Sequence, residues 1–147
     1  VLAPLGRWSD MSTVKAANLQ NTGSGAPTFK NSSGTEIGQL CKAWVNFNGT
    51  GTVAIRDSFN VGSITDHAVG EYQINFTSNM ANSNYCAVCA CSGTNANNAV
   101  VLYPSSNLSG VKLDDSYRSA SMLRLLIVNG AGQNIDNGYM NVAIFGD

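Results

Sequence analysis

Charge of either sign is scarce in this sequence. Lysine, arginine, aspartate and glutamate together make up 12% of its 147 residues, and the formal net charge at pH 7 is −1. A protein that holds nucleic acid or an anionic membrane surface needs a basic patch to do so. The composition therefore gives no electrostatic basis for a nucleic-acid partner, and none is expected.

Long apolar runs are also missing. No stretch approaches the roughly 20 consecutive apolar residues that a membrane-spanning helix requires, and no membrane insertion is expected. Hydrophobic residues nevertheless make up 44% of the chain, which is too many for a disordered protein. A chain of 147 residues with this content is long enough to bury a single core.

Lysine and glutamate, which favour long helices, are few, and most polar side chains come from asparagine, serine and threonine. These residues, together with glycine, favour turns and strands over helices. From residue 41 onward strand candidates follow in quick succession: 41–47, 52–60, 71–77, 85–92, 99–103, 120–128 and 139–145, with 61–65 either continuing the second strand or standing alone. Short strands at this spacing predict an all-β fold, an antiparallel β-sandwich of jelly-roll-like type.

The first two predicted strands show the alternation most clearly. Side chains alternate across a strand, so one face of residues 42–47 carries three apolar side chains: Ala43, Val45 and Phe47. The same reasoning puts another apolar set on a single face of the next run: Val53, Ile55, Phe59 and Val61. Residues 48–51, Asn-Gly-Thr-Gly, tolerate the positive φ of a tight turn. The pattern predicts a hairpin with a dry side and a wetter side.

Residues 1–40 differ from the rest of the chain. A short helix is predicted from residue 11 to residue 19 or 20, with Asp10 or Ser9 as its N-cap. The glycine-rich stretch that follows has few large apolar side chains and is typical of a loop or an extended arm. The sequence therefore predicts two parts, an N-terminal arm over residues 1–40, helical or extended, and a β-sandwich over residues 41–147.

Three predicted strands are apolar on both faces: 84–91, 121–128 and 139–145. A strand in a free-standing antiparallel sandwich normally has one face in contact with water. The second apolar face of these three strands therefore predicts a second buried surface. Either the protein self-associates through a large, dry interface, or residues 1–40 cover the surface within the chain; both readings are open. The candidate interface residues are Trp44, Met122, Leu126, Met140 and Val142.

Trp44 is the most specific of these candidates because it lies on the more polar face of its strand. Aromatic side chains are enriched in the cores of protein interfaces. We expect Trp44 to pack against another subunit or against the N-terminal arm. The alternative is a core position against a second sheet of the same chain.

The four cysteines include a spacing that is typical of metal sites. Cys86 and Cys89 have the two-residue gap of a zinc half-site, but in an apolar strand the alternation puts Cys86 on the face opposite Cys89 and Cys91. Zinc ligands must converge, so free thiols that fill space in the core are expected instead of a metal. A disulfide between Cys41 and one of the other three stays open.

The sequence shows no recognisable arrangement of catalytic residues. His67 is predicted in a loop without a poised nucleophile, and the sequence has no G-x-S-x-G elbow. Asp114 and Asp115 are adjacent, whereas a glycosidase needs two carboxylates that face each other across the sugar. The sequence therefore predicts no enzyme, no cofactor and no metal site.

Three segments of the chain resemble a known family. They are residues 41–66, the stretch GEYQINFTSNMANSNYCAV at 70–88, of which 70–80 is the most distinctive part, and YMNVAIFGD at 139–147. Together they resemble a β-rich domain of virion proteins of tailed bacteriophages, of the marine podovirus type, which often forms the carboxyl end of tail-fibre or fibre-like proteins. The likeness is specific between residues 41 and 92, weaker from 120 to 147, and absent or generic before about residue 28.

The resemblance implies a structural or adhesive component of the virion, commonly a homotrimer, without cofactor or turnover. The expected role is that of a fibre or knob module for host attachment, with loops 65–70, 92–98 and 105–116 as candidates for binding a host-surface glycan and residues 1–40 as the contact with other virion proteins. The alternative is an architectural capsid decoration or fibre-attachment protein without receptor binding. A polysaccharide depolymerase ranks below both, because no carboxylate pair is identifiable.

Overall fold

The computed structural model describes residues 16, 18–20, 27–92, 98–101, 117–129 and 131–146. The regular elements among these residues are β-strands. No helix in the described part of the chain is long and apolar enough to cross a membrane.

The chain divides into two compact units, Val1–Gly38 and Gln39–Asp147. The boundary predicted from the sequence lies between residues 40 and 41, two residues further along the chain. The helix predicted for residues 11–20 lies mostly outside the described residues, and none of the described ones in that range is helical.

The first unit contains a short antiparallel hairpin of β1 (Phe29–Lys30) and β2 (Glu36–Gly38). The Asn31 side chain stabilises the connecting turn, because its Oδ1 accepts hydrogen bonds from the backbone N–H groups of Ser33 and Thr35 at 3.1 and 2.9 Å. The sequence predicted only a loop or an extended arm here. The hairpin was missed because its strands are too short to show an alternation.

The second unit is a β-sandwich of two four-stranded antiparallel sheets. Its strands are β3 (Ala43–Asn48), β4 (Ala54–Phe59), β5 (Val61–Ala68), β6 (Glu71–Phe76), β7 (Cys86–Ser92), β8 (Asn98–Val101), β9 (Met122–Asn129) and β10 (Tyr139–Phe145). The first sheet has the order β4-β3-β10-β7, and the second has the order β5-β6-β9-β8. Strands far apart in the chain are thus neighbours, as in jelly-roll-like sandwiches. The predicted all-β antiparallel sandwich is confirmed.

β4 and β5 are separate strands in different sheets, which decides between the two readings of residues 61–65. The chain turns between them at Asn60, whose φ of 57° lies in the left-handed region that asparagine tolerates. The Asn60 Nδ2 group donates to the carbonyl oxygens of Lys42 and Ser78, both at 3.1 Å. This corner therefore joins the segment before β3 to the segment after β6.

The core lies between the two sheets and draws side chains from both of them. Its members include Ala43, Val45, Phe47, Tyr72, Ile74, Phe76, Leu123, Leu125, Ile127, Met140, Val142 and Ile144. Phe47 and Tyr72 pack edge to face, with ring centroids 5.3 Å apart. Burial of each large apolar side chain contributes about 1.5–3 kcal/mol relative to exposure in water. The predicted dry face of β3 is confirmed.

A β-bulge at Arg56 changes the face on which Phe59 lies. β3 pairs Phe47 with Ile55 but Asn46 with Asp57, so Arg56 is an extra residue in β4. A bulge reverses the inside–outside alternation beyond it. Phe59 is consequently on the outer face, opposite Trp44, and not on the inner face with Ile55. The prediction that placed Phe59 with Ile55 was wrong for this reason.

Candidate functional site

The outer face of the second sheet is polar along β5 and β6, as far as Arg124 on β9. Glu71 on β6 and Arg124 on β9 form an ion pair at 2.8 Å. Beside them, side-chain amides and hydroxyls are linked in a row: Gln73 Nε2 donates to Asn75 Oδ1 at 2.6 Å, and Asn75 Nδ2 donates to the Ser63 hydroxyl at 3.0 Å. This arrangement is that of a solvated sheet face.

The outer face of the first sheet differs because a row of apolar side chains crosses all four strands. Strand pairing aligns Phe59 with Trp44, Trp44 with Ala143, and Ala143 with Val88. We call these four residues the aromatic row. Phe59 is 55% exposed, Trp44 37% and Val88 57%. A continuous exposed strip of this kind is typical of a binding surface.

Further exposed apolar side chains flank the aromatic row. On one side Phe145 pairs with Cys86, and both side chains are exposed. On the other side the exposed Tyr139 lies beneath Arg56, whose guanidinium carbon is 4.4 Å from the ring centroid. Arg56 Nη2 also donates to the carbonyl oxygen of Gly138 at 2.6 Å. The hydrogen bond and the cation–π contact together hold Arg56 over Tyr139.

A polar row lies between the aromatic row and Tyr139. Strand pairing aligns Asp57 with Asn46 and Asn46 with Asn141, and we call these three residues the polar row. Asn46 Nδ2 donates to Asn141 Oδ1 at 2.5 Å, and Arg56 Nη1 donates to Asn46 Oδ1 at 3.5 Å. The aromatic row, the polar row, Phe145, Cys86, Tyr139 and Arg56 are together called the first-sheet face below. An apolar strip beside polar groups is typical of protein interfaces.

Only one of the interface residues predicted on the first sheet lies on its outer face. Trp44 belongs to the aromatic row. Met140 and Val142 lie in the core and are 0% and 3% exposed, so neither presents surface to a partner. The alternation along β10 puts Tyr139 and Phe145 outside in their place. The selection of Met140 and Val142 is therefore corrected.

The other two predicted interface residues, Met122 and Leu126, lie on β9 in the second sheet. Leu126 is buried although it alternates with the core residues Leu125 and Ile127. Met122 is partly buried. The second apolar face of β9 is therefore largely covered within the chain.

All four cysteines are free thiols. Cys86 lies on the outer face of β7 and Cys89 and Cys91 on the inner face, which confirms their predicted opposition. Burial, reinforced by Cys91, raises the pKa of Cys89 to about 12, so this thiol stays protonated and unreactive at neutral pH. Cys41 lies before β3, and its Sγ is within hydrogen-bonding distance of the carbonyl oxygens of Ala43 and Ile144, at 3.1 and 3.4 Å, so it is not paired with a cysteine of β7.

The candidates for acid–base chemistry are not brought together in the described residues. His67, predicted in a loop, lies in β5, and its Nε2 is 3.2 Å from Gln73 Oε1. Within the described ranges there is no group of three or more His, Cys, Asp or Glu side chains that could hold a metal ion. Asp114 and Asp115, with much of loops 92–98 and 105–116, lie outside those ranges.

Sequence reasoning missed a polar network at one end of the sandwich, in which Tyr72 and Gly70 are buried and Asp136 is exposed. The Tyr72 hydroxyl oxygen lies 2.6 Å from the carbonyl oxygen of Gly49 and 2.7 Å from the Asp136 carboxylate, and these two acceptors share its single proton. Asp136 also accepts a hydrogen bond from the Gly70 N–H at 2.7 Å. Burial, reinforced by Asp136, raises the pKa of Tyr72, so the phenol remains a donor. Tyr72 and Asp136 are 64 positions apart, and no local motif could have revealed them.

The Tyr72 network positions the start of β10. Gly49 N–H donates to the carbonyl oxygen of the buried Asn137 at 2.9 Å. The Asn137 side chain in turn accepts a hydrogen bond from the Tyr139 N–H at 3.2 Å. The connection after β3 and the connection before β10 are thereby fixed to each other. The two rows of the first-sheet face depend on this register between β3 and β10.

Comparisons of the chain with protein-family models, with curated proteins and with solved structures find no match. What the first-sheet face can do is therefore derived from its geometry. The face is a strip of exposed aromatic and aliphatic side chains with a polar row beside it. Such a surface suits contact with another protein more than it suits the turnover of a small molecule, which takes place in a concave pocket.

Proposed function

We propose that the protein is a structural component of a bacteriophage virion, a fibre or knob module that forms a homo-oligomer through the first-sheet face. The aromatic row carries this proposal, because Phe59, Trp44 and Val88 stay exposed in a single chain. The resemblance of residues 41–92 to fibre-like virion proteins supports it and favours a trimer. No catalytic turnover is part of the proposed role.

Burial of the aromatic row supplies the driving force for assembly. Removing apolar surface from water contributes about 25 cal/mol per Å², and Trp and Phe are among the largest apolar side chains available. The Arg56 bulge brings Phe59 beside Trp44, and so concentrates this surface at one place on the sheet. Large side chains near the centre of an interface commonly dominate its binding energy.

A second copy of the chain fits the charges on this face. Arg56 and Asp57 lie side by side on β4, and within the described residues neither has an oppositely charged partner. An identical face presents the same two charges and can pair each with its opposite. In a trimer the contacts are heterologous, so Arg56 of one copy faces Asp57 of the next copy and the ring closes after three subunits.

Host attachment in this proposal uses surfaces that the assembly leaves outside. The outer face of the second sheet carries amides, hydroxyls and His67, and residues 65–70 form the end of β5 and its turn into β6. Asparagine, glutamine, serine and threonine side chains supply the hydrogen-bond donors and acceptors that a host-surface glycan needs. Residues 1–40 are the proposed contact with other virion proteins.

Sedimentation equilibrium of the full-length chain tests the assembly. We expect the wild-type protein to form one closed oligomer and the W44S/F59S variant to dissociate, with its dissociation constant raised about 100-fold because two interface side chains are lost. The matched control is V69S, which removes an exposed valine from the turn after β5. A wild-type protein that stays monomeric at all concentrations would contradict the proposal.

Glycan-array binding by the assembled protein separates attachment from a purely architectural role. Glycan binding by the wild type that weakens on dissociation of the oligomer in W44S/F59S supports a receptor-binding module. An oligomer that enters virions without binding any glycan or host cell supports the architectural alternative. Release of reducing sugar from host polysaccharide would overturn the assignment as a protein without turnover.

A further inference from the structure

We infer that the polar row, Asp57, Asn46 and Asn141, determines how many copies of the chain assemble. The inference rests on the proposed self-association through the first-sheet face. The polar row lies two residues along each strand from the aromatic row, a separation of about 7 Å. A partner wide enough to cover Trp44 and Phe59 therefore covers the polar row as well.

The polar row retains hydrogen-bonding groups that the described part of the chain does not satisfy. Asn141 Oδ1 accepts from Asn46, but Asn141 Nδ2 has no acceptor among the described residues. Among the described residues, the Asp57 carboxylate accepts only from the Ser58 N–H, at 2.8 Å. Water satisfies these groups in a free protomer. Covering them with apolar surface would leave each group buried without a hydrogen-bond partner, which is unfavourable.

A second copy of the same row can satisfy these groups. A side-chain amide carries both donors and an acceptor, so two asparagines from identical faces can bond to each other. The Asp57 carboxylate needs a donor, and Arg56 on the neighbouring copy supplies one. Only subunit arrangements that align the rows provide these partners. Arrangements that slide one face over the other leave buried groups unpaired and are disfavoured.

This role corresponds to that of a single buried asparagine in coiled coils, which fixes register and oligomer state at some cost in stability. The aromatic row supplies affinity but does not fix the relative orientation of the subunits, because apolar contact is not directional. The hydrogen bonds of the polar row fix that orientation. Removal of the polar row is therefore expected to strengthen association and to broaden its stoichiometry.

The test replaces both asparagines with valine in the full-length chain. Valine suits exposed strand positions, and N46V/N141V leaves the core unchanged because both side chains lie on the outer face. The matched control is S63V/T65V, which adds the same apolar surface to the outer face of the second sheet. Native mass spectrometry and sedimentation velocity report the stoichiometry, and circular dichroism confirms the fold of each variant.

We expect a single stoichiometry for the wild type and for S63V/T65V. For N46V/N141V we expect several coexisting stoichiometries and a dissociation constant lowered about tenfold. If N46V/N141V keeps the wild-type stoichiometry and affinity, the inference is overturned while the proposed self-association stands. If the wild type itself is monomeric, both are overturned. N141V alone, which preserves the Arg56–Asn46 hydrogen bond, repeats the test should the double variant fail to fold.

Discussion

Replacement of Gly70 by alanine is expected to lower the free energy of unfolding by about 3 kcal/mol. Gly70 has a φ of +71°, a conformation that L-residues with a Cβ atom adopt only at a cost. A Cβ there would lie 2.7 Å from the Ile127 carbonyl oxygen and 2.8 Å from the Ile135 carbonyl oxygen. Both contacts are with backbone atoms. They cannot retreat without stretching the hydrogen bond from Ile127 N–H to Gly70 O, now 2.8 Å.

Gly51 provides the matched control for this substitution. Its φ of +63° is similar, but no atom lies within 4 Å of the Cβ position. G51A is therefore expected to lower the free energy of unfolding by only about 1 kcal/mol, which is the cost of holding a residue with a Cβ atom at positive φ. Urea unfolding followed by circular dichroism measures both variants under conditions in which they have the same oligomeric state. Equal losses for G70A and G51A would show that the turn after β5 has room for a side chain.

Removal of the Asp136 carboxylate is expected to cost about 2–3 kcal/mol of unfolding free energy. Asp136 accepts hydrogen bonds from the Tyr72 hydroxyl and the Gly70 N–H, both at 2.7 Å. Hydrogen bonds to a charged group are stronger than those between neutral groups. In D136A the Gly70 N–H loses this acceptor, whereas the Tyr72 hydroxyl keeps the Gly49 carbonyl oxygen, 2.6 Å away.

The control for D136A is D66A, because Asp66 is exposed on β5 and its side chain makes no hydrogen bond within the described residues. We expect D66A to change the unfolding free energy by less than about 0.5 kcal/mol. A double-mutant cycle with Y72F isolates the Tyr72–Asp136 pair, and a coupling of at least about 0.5 kcal/mol is expected. Strictly additive losses in Y72F and D136A would argue against the hydrogen bond between them.

The strands of the sandwich were predictable because alternation is a local property of the sequence. Residues 139–145 were assigned as a strand with the same bounds that the structure shows, and the inner face of β3 was assigned correctly. The bulge at Arg56 was not predictable. It depends on which residue of β3 each residue of β4 pairs with, and a single extra residue moved Phe59 to the other face.

The position of the candidate site was only partly predictable for a related reason. β10 is apolar on both sides, so its sequence could not show which side enters the core. The choice is made by β3 and β7, which lie on either side of β10 and whose inner faces are themselves buried or partly buried. Met140 and Val142 consequently lie inside, and Tyr139 and Phe145 outside. Trp44 was identified because a large aromatic residue on a polar face is unusual in any strand.

The exposed thiol of Cys86 allows the most direct test of the central claim that the first-sheet face joins copies of the chain. The rate of its alkylation, followed by peptide mass spectrometry, reports whether this part of the face is covered, and the partly buried Cys89, whose pKa is raised, serves as a slowly reacting internal reference in each sample. We expect Cys86 to react several-fold more slowly in the assembled wild type than in W44S/F59S at the same protein concentration. Equal rates in the two proteins would contradict the claim.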